Sequence, residues 1–124
     1  MTILTDSGTR KGGFIVSEAN DWRSRDEVIL TVGADQTVIV GTVLGKITAS
    51  GKYIPQLAAA VDGSETPAAI LYADASGNSE DLEVTVVARD SEVNGSDLIH
   101  DPAANAAAVT AANAALAAAG IIVR

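Results

Sequence analysis

The chain has 124 residues, enough for one domain and too few for two comfortable ones. It contains no cysteine, which excludes disulfides and thiolate metal sites, and its net charge of −8 sets it against nucleic acid as a partner. Alanine supplies 23 of its hydrophobic residues and only Phe14, Trp22, Tyr53 and Tyr72 are aromatic, so the core must be built mainly from Val, Ile and Leu and will be thin.

A thin core hints at stability drawn from partner subunits. No charged-then-apolar leader opens the sequence, so export is not expected. The alanine-rich tail is interrupted by Asn105, Thr110 and Asn113 and makes a poor membrane span. Charge is unevenly spread. Residues 1–25 hold four basic and three acidic side chains, +1, whereas the remainder holds four basic against thirteen acidic, −9. An acidic partner would therefore meet the N-terminal quarter.

Residues 1–13, "MTILTDSGTRKGG", are polar and glycine-tipped apart from Ile3 and Leu4. They read either as a frayed terminus or as an arm that orders on a partner. "FIVSE" is a short strand candidate, "NDWRSRDE" a polar connection and "VILTV" a second strand. Trp22, among charges, either covers a sheet edge or anchors an interface, where Trp and Arg are enriched.

After the turn "GADQ" comes the β-branched run "TVIVGTVLGKIT". Its "GTVLGKIT", Gly41 to Thr48, is nearly a phosphate-binding loop. The spacer is one residue short, however, and Ile47 stands where a magnesium-holding hydroxyl belongs. Gly41 and Gly45 are better read as bulges or points of close backbone approach. "ASGK" forms a hairpin turn into "YIPQL", with Gly51 free to take positive φ.

"PAAILYAD" opens on Pro67, which suits a strand's first residue. "LEVTVVARD" alternates, placing Leu82, Val84, Val86 and Ala88 on one face of a half-buried strand. Asp101 as N-cap and Pro102 at the first helical position predict a helix through Ala119, stopped by Gly120. Of the residues from Ala103 to Ala119, 12 are alanine, the strongest helix former. "IIVR" then returns as a final strand.

Little here carries chemistry. His100 is the sole histidine, so a histidine metal cage is impossible, and a solvated loop imidazole is its ordinary reading. "DASGNSED", Asp74 to Asp81, alternates oxygen side chains like a calcium loop. Ser79 occupies the glycine position and Thr85 the position of the bidentate Glu, so a polar loop between strands is expected instead. Glu80 and Asp81 are adjacent and diverge, unlike a glycosidase acid/base pair.

Five stretches in order resemble the phage head-decoration proteins of the lambda type, the capsid cement family. They are "SRDEV" (Ser24 to Val28), "GTVLGKIT" with "GKYIP", "AAILYAD", "VVARDSEVN" (Val86 to Asn94) and the closing "NAALAAAGIIVR". Together they cover Gly13 to Arg124. The resemblance implies an α+β protein: a small β-rich single domain, residues 14–124, with a C-terminal Ala-rich helix and a flexible N-terminal arm, residues 1–13.

It further implies a structural virion protein, made in the host cytoplasm. Such a protein forms homotrimers on the outer surface of the expanded head, at local threefold sites, and clamps the major capsid protein. No enzyme activity, cofactor, metal, nucleic acid or membrane is expected. In this family the arm contacts the capsid protein. The candidate contact residues here are β-prone Thr2, Ile3, Leu4 and Thr5, the basic Arg10 and Lys11, and Trp22. The alternatives are another oligomeric phage surface or baseplate module, or a hydrolase using His100.

Overall fold

A computed structural model describes residues 10–19 and 23–124. Within these residues ten strands, one short 3-10 turn and one α-helix follow one another: β1 (Ile15–Glu18), β2 (Arg25–Thr31), β3 (Gln36–Val38), β4 (Val43–Lys46), β5 (Tyr53–Pro55), β6 (Pro67–Leu71), β7 (Ala75–Gly77), β8 (Asp81–Val87), β9 (Ser91–Val93), the turn Gly95–Asp97, α1 (Ala106–Ala118) and β10 (Ile121–Val123). The described residues are β-rich with a single C-terminal helix, the α+β class expected.

Strands β2, β5, β4, β6 and β8 close into a barrel. Its longest seam is antiparallel, from Arg25 opposite Val87 to Thr31 opposite Asp81. Closure on the other side is narrow, a parallel pairing at Leu30 and Tyr53. Beside the barrel stands a three-stranded sheet ordered β1-β9-β10, and β3 pairs with β7 as a separate ribbon.

The period-two alternation of strands explains two cores rather than one. In β4, β6 and β8 one set of side chains (Leu44, Ala69, Leu71, Val86) meets Leu30 and Val38 in one cluster, with Leu82, Val84 and Ala88 packed against it. The alternate set (Val43, Ile70, Val87) meets Phe14, Val93, Leu116 and Ile121 in a second cluster, which the small sheet and α1 cover. The shared strands are therefore buried on both sides where they carry both sets, although "LEVTVVARD" predicts a face open to solvent along its whole length.

Several boundaries differ from the sequence expectation, for identifiable reasons. The run Thr37 to Thr48 breaks into two strands because Gly41 turns with φ of 90°. The "polar connection" already belongs to β2 at Arg25, where the ionic side chains find partners: Arg25 binds Glu18 at 2.5 Å, and Asp26 binds Arg89. "DASGNSED" is no plain loop, since Ala75–Gly77 pairs with Gln36–Val38.

The helix begins at Ala106, not after Asp101. Asn105 is its N-cap, accepting from the Ala108 amide at 2.9 Å. The Asp101 carboxylate is committed to a turn and to the body: it accepts from the amides of Ala103 at 3.0 Å and Ala58 at 3.2 Å. At the other end Gly120, with φ of 94°, ends the helix as expected. Ala112 and Leu116 are its buried residues, so most of the alanine surface faces outward.

Candidate functional site

The N-terminal turn is held to the body by backbone bonds. Gly13 N–H donates to the Arg10 carbonyl at 2.7 Å, Ile15 N–H to Gly12 at 3.0 Å, and Gly12 N–H to the Tyr72 carbonyl at 2.9 Å. Tyr72, just past β6, thereby fixes where residues 10–13 lie. Its ring also faces two cations, Arg25 with its guanidinium carbon 4.2 Å from the ring centroid and Lys11 with Nζ at 5.6 Å. Each such contact adds roughly 0.5–1 kcal/mol at an exposed site.

The two cations differ in what else they meet. Arg25 bonds Glu18, whose other oxygen accepts from Ser24 Oγ at 2.5 Å. The hydrogen bond from Arg25 holds the Glu18 carboxyl below its usual range, against the opposing effect of burial, and Glu18 in turn raises Arg25. Arg23, Lys52, Arg89 and Arg124 are likewise paired, with Asp90, Asp81, Asp26 and Glu92. Arg10 and Lys11 are exposed, and neither has a carboxylate partner among the described residues. They place two exposed positive charges on an acidic chain, Lys11 over the Tyr72 ring and Arg10 next to it in sequence, a local field that attracts an acidic surface.

The remaining candidate contact residues, Thr2, Ile3, Leu4, Thr5 and Trp22, lie outside the described residues. His100 lines a cleft of about 360 Å³ with Ile39, Thr42 and Leu57. It is positioned by its neighbour: Ile99 N–H donates to Gly41 and the Ile99 carbonyl accepts from Val43, both at 2.9 Å. Burial lowers the His100 pKa, and its Nδ1 has no hydrogen-bond partner among the described residues. A catalytic triad would require an orienting carboxylate on that nitrogen, and no described residue supplies one.

The near-match to a phosphate loop is resolved by packing. Gly45 lies where a Cβ would sit 2.0 Å from the Ser64 carbonyl oxygen, and at Gly41 a Cβ would sit 2.5 Å from that of Asp97. Both glycines admit protein backbone rather than an anion, and Gly45 also falls at a register shift between β4 and β6. In "DASGNSED", Asp74 accepts from Val40 N–H at 2.7 Å and Asn78 from Asp35 N–H at 3.2 Å. Among the described residues no three His, Asp or Glu side chains converge as a metal site, and no helix is long and apolar enough to cross a membrane.

Two features had no signal in the sequence. Tyr72 becomes a docking point only because the turn and β2 meet there. The exposed Ile39, Leu57 and Ile99 share one cleft although they come from three separate segments.

The fold is thus a small closed barrel flanked by a three-stranded sheet and covered by one helix among the described residues. The chain belongs to the bacteriophage lambda head decoration protein D family, whose family model matches residues 4–121. It is accordingly a structural component of a phage capsid and of the virion. Membership points to a non-enzymatic role in association with the capsid. Comparison with curated proteins found no match.

Proposed function

We propose that this protein decorates the outer surface of the expanded phage head as homotrimers at local threefold sites, where it clamps neighbouring major capsid proteins and stabilises the shell. The observation that carries this reading is the family match across residues 4–121. It is supported by the exposed Arg10 and Lys11, without carboxylate partners among the described residues, which suit an acidic patch of the capsid protein. On this reading the N-terminal residues Thr2 to Thr5, with Arg10 and Lys11, form the contact segment, and Trp22 is a second anchor. The protein acts by binding alone and performs no catalysis.

The test is to add the purified protein to expanded heads lacking it and to image them by electron microscopy. Density at the local threefold positions and raised resistance of the heads to heat are expected. Reversing both charges, Arg10→Glu with Lys11→Glu, should lower occupancy and weaken its dependence on salt. Undecorated heads at saturating protein, or decoration by monomers, would defeat the proposal.

A further inference from the structure

Asn94 and Gly95 form the one Asn-Gly pair of the sequence; Asn20, Asn78, Asn105 and Asn113 precede Asp, Ser or Ala. Glycine has no Cβ, so it leaves the amide nitrogen that follows the asparagine sterically uncovered. That nitrogen can attack the asparagine's own side-chain carbonyl carbon. The N–Cγ bond forms, the Cγ–Nδ2 bond breaks, and the glycine amide proton leaves with the amine as ammonia. Water then opens the five-membered imide at one of its two carbonyls. The product is aspartate, or isoaspartate, in which the main chain runs through the former side-chain carbon.

Two requirements of this reaction are met in the folded chain. Asn94 is exposed, so ammonia departs into water. Its Oδ1 accepts from the Ser96 amide at 3.0 Å, which puts a donor on the oxygen where negative charge develops during attack. The nucleophile, however, is withheld. Asn94 has φ of −84° and ψ of 112°, which turns the Gly95 nitrogen away from the Cβ side of Cα. Ring closure requires rotation about that Cα–C bond. Arg124, just past β10, spans the same bond: its carbonyl accepts from Gly95 N–H at 3.0 Å, and its N–H donates to the Val93 carbonyl at 2.8 Å. A Cβ at Gly95 would lie 2.9 Å from Val123 Cγ1, so the end of β10 also crowds the glycine. The Arg124 side chain is tied in turn to Glu92 at 2.8 Å.

We propose that Asn94 is a deamidation site that Arg124 holds closed, and that conversion takes place when Arg124 and the end of β10 lift from Gly95. Local opening of this kind, cheaper than global unfolding, sets the rate. The product adds a negative charge to a segment that already carries Glu92 and Asp97. As isoaspartate it also lengthens the main chain where Asn94 N–H donates to the Phe14 carbonyl at 2.8 Å, next to the docked turn.

The experiment incubates the full chain at mildly alkaline pH, folded and in urea, and follows each asparagine by peptide mass spectrometry. In urea Asn94 is expected to convert faster than Asn20, Asn78, Asn105 or Asn113. In the folded chain it should be slower by at least about tenfold, the factor that an opening cost of about 1.4 kcal/mol imposes. Arg124→Pro deletes the N–H bonded to Val93, and Arg124→Ala deletes only the ion pair with Glu92. Each should recover part of the urea rate at Asn94, the proline variant more, while Asn78 keeps its wild-type rate. Circular dichroism checks that both variants fold. An Asn94 no faster than Asn78 in urea overturns the site. Equal rates at Asn94 in the folded and urea-treated chain overturn the closure, as does a folded Arg124→Pro chain converting at the wild-type rate. Should the proline variant lose its fold, Arg124→Ala decides, and a wild-type rate there overturns the proposal.

Discussion

Gly12 lies so close to Tyr72 that a Cβ added to it would sit 2.6 Å from Cε2 of the ring, and its φ of 67° is one that side chains rarely adopt. Gly12→Ala therefore meets both backbone strain and a collision. Left-handed φ costs a non-glycine residue about 1–2 kcal/mol, and the ring has to shift to admit the methyl group. We expect Gly12→Ala to lower unfolding free energy in urea by about that amount. Occupancy on heads should fall as well, because Arg10 and Lys11 lose their fixed position. Tyr72→Leu, which removes both cation contacts and leaves Gly12 room, should weaken head binding with a smaller loss of stability. Full head binding by both variants would show that the docked turn is irrelevant to attachment.

Gly45 makes a stronger demand. Its missing side chain admits the backbone of Ser64, itself fully buried and bonded through Oγ to Asp62 at 2.5 Å. The loop cannot retreat freely, since Gly63 approaches Lys46 at the end of β4 and Thr48 just beyond it. Gly45→Ala should destabilise the fold by about 1–3 kcal/mol or more, the usual range for overpacking. A thermal melt indistinguishable from wild type would contradict the packing described here.

His100 predicts a specific acid response. Its folded-state pKa lies below its ordinary value because burial disfavours the charged ring. The unfolded chain therefore takes up the proton first. Stability is complete above about pH 6.5 and declines as the pH falls below it, towards the lowered folded value. Carboxylates held low by hydrogen bonds, such as Glu18 through Arg25 and Asp81 through Lys52, lose their contribution only at more acidic pH. Melting temperatures of wild type and His100→Gln should differ in slope just below about pH 6.5, the variant being flatter. Parallel curves would assign the acid response elsewhere.

These residues also show what the sequence made legible. Features decided by local chemistry were readable: the positive-φ turn at Gly51, the close approach at Gly45, the alternation of Leu82, Val84 and Val86, and the stop at Gly120. Features decided by distant partners were not. Ser91–Val93 is a strand because β1 and β10, from opposite ends of the chain, flank it, and three residues alone carry no period. Asp101 has every local qualification for an N-cap but is drawn to Ala58. The same limit applies to the site. The charges of Arg10 and Lys11 are visible in sequence, whereas the seat of Lys11 over Tyr72 and the meeting of Ile39, Leu57 and Ile99 exist only after folding.

The first part of the proposed contact segment can be tested by truncation. Body contacts are made at Gly12, and Phe14 is fully buried, so truncation after Thr9 retains both the docked turn and Phe14. On the proposed reading, "TILT" (Thr2 to Thr5) adds a strand to an exposed sheet edge of the capsid protein, gaining main-chain hydrogen bonds. Ordering a strand costs about 1–2 kcal/mol per residue of backbone, so one such segment binds weakly. Three on a single trimer act together, and after the first engages, avidity can strengthen binding about 10²- to 10⁴-fold without new contacts. Deleting Met1 to Thr9 should therefore leave mass and melting temperature unchanged while head occupancy collapses. The loss should exceed that caused by reversing Arg10 and Lys11 alone, which leaves the strand in place. If the truncated protein fills heads at normal affinity, residues 1–9 are dispensable, and Arg10, Lys11 and Trp22 are the next residues to substitute.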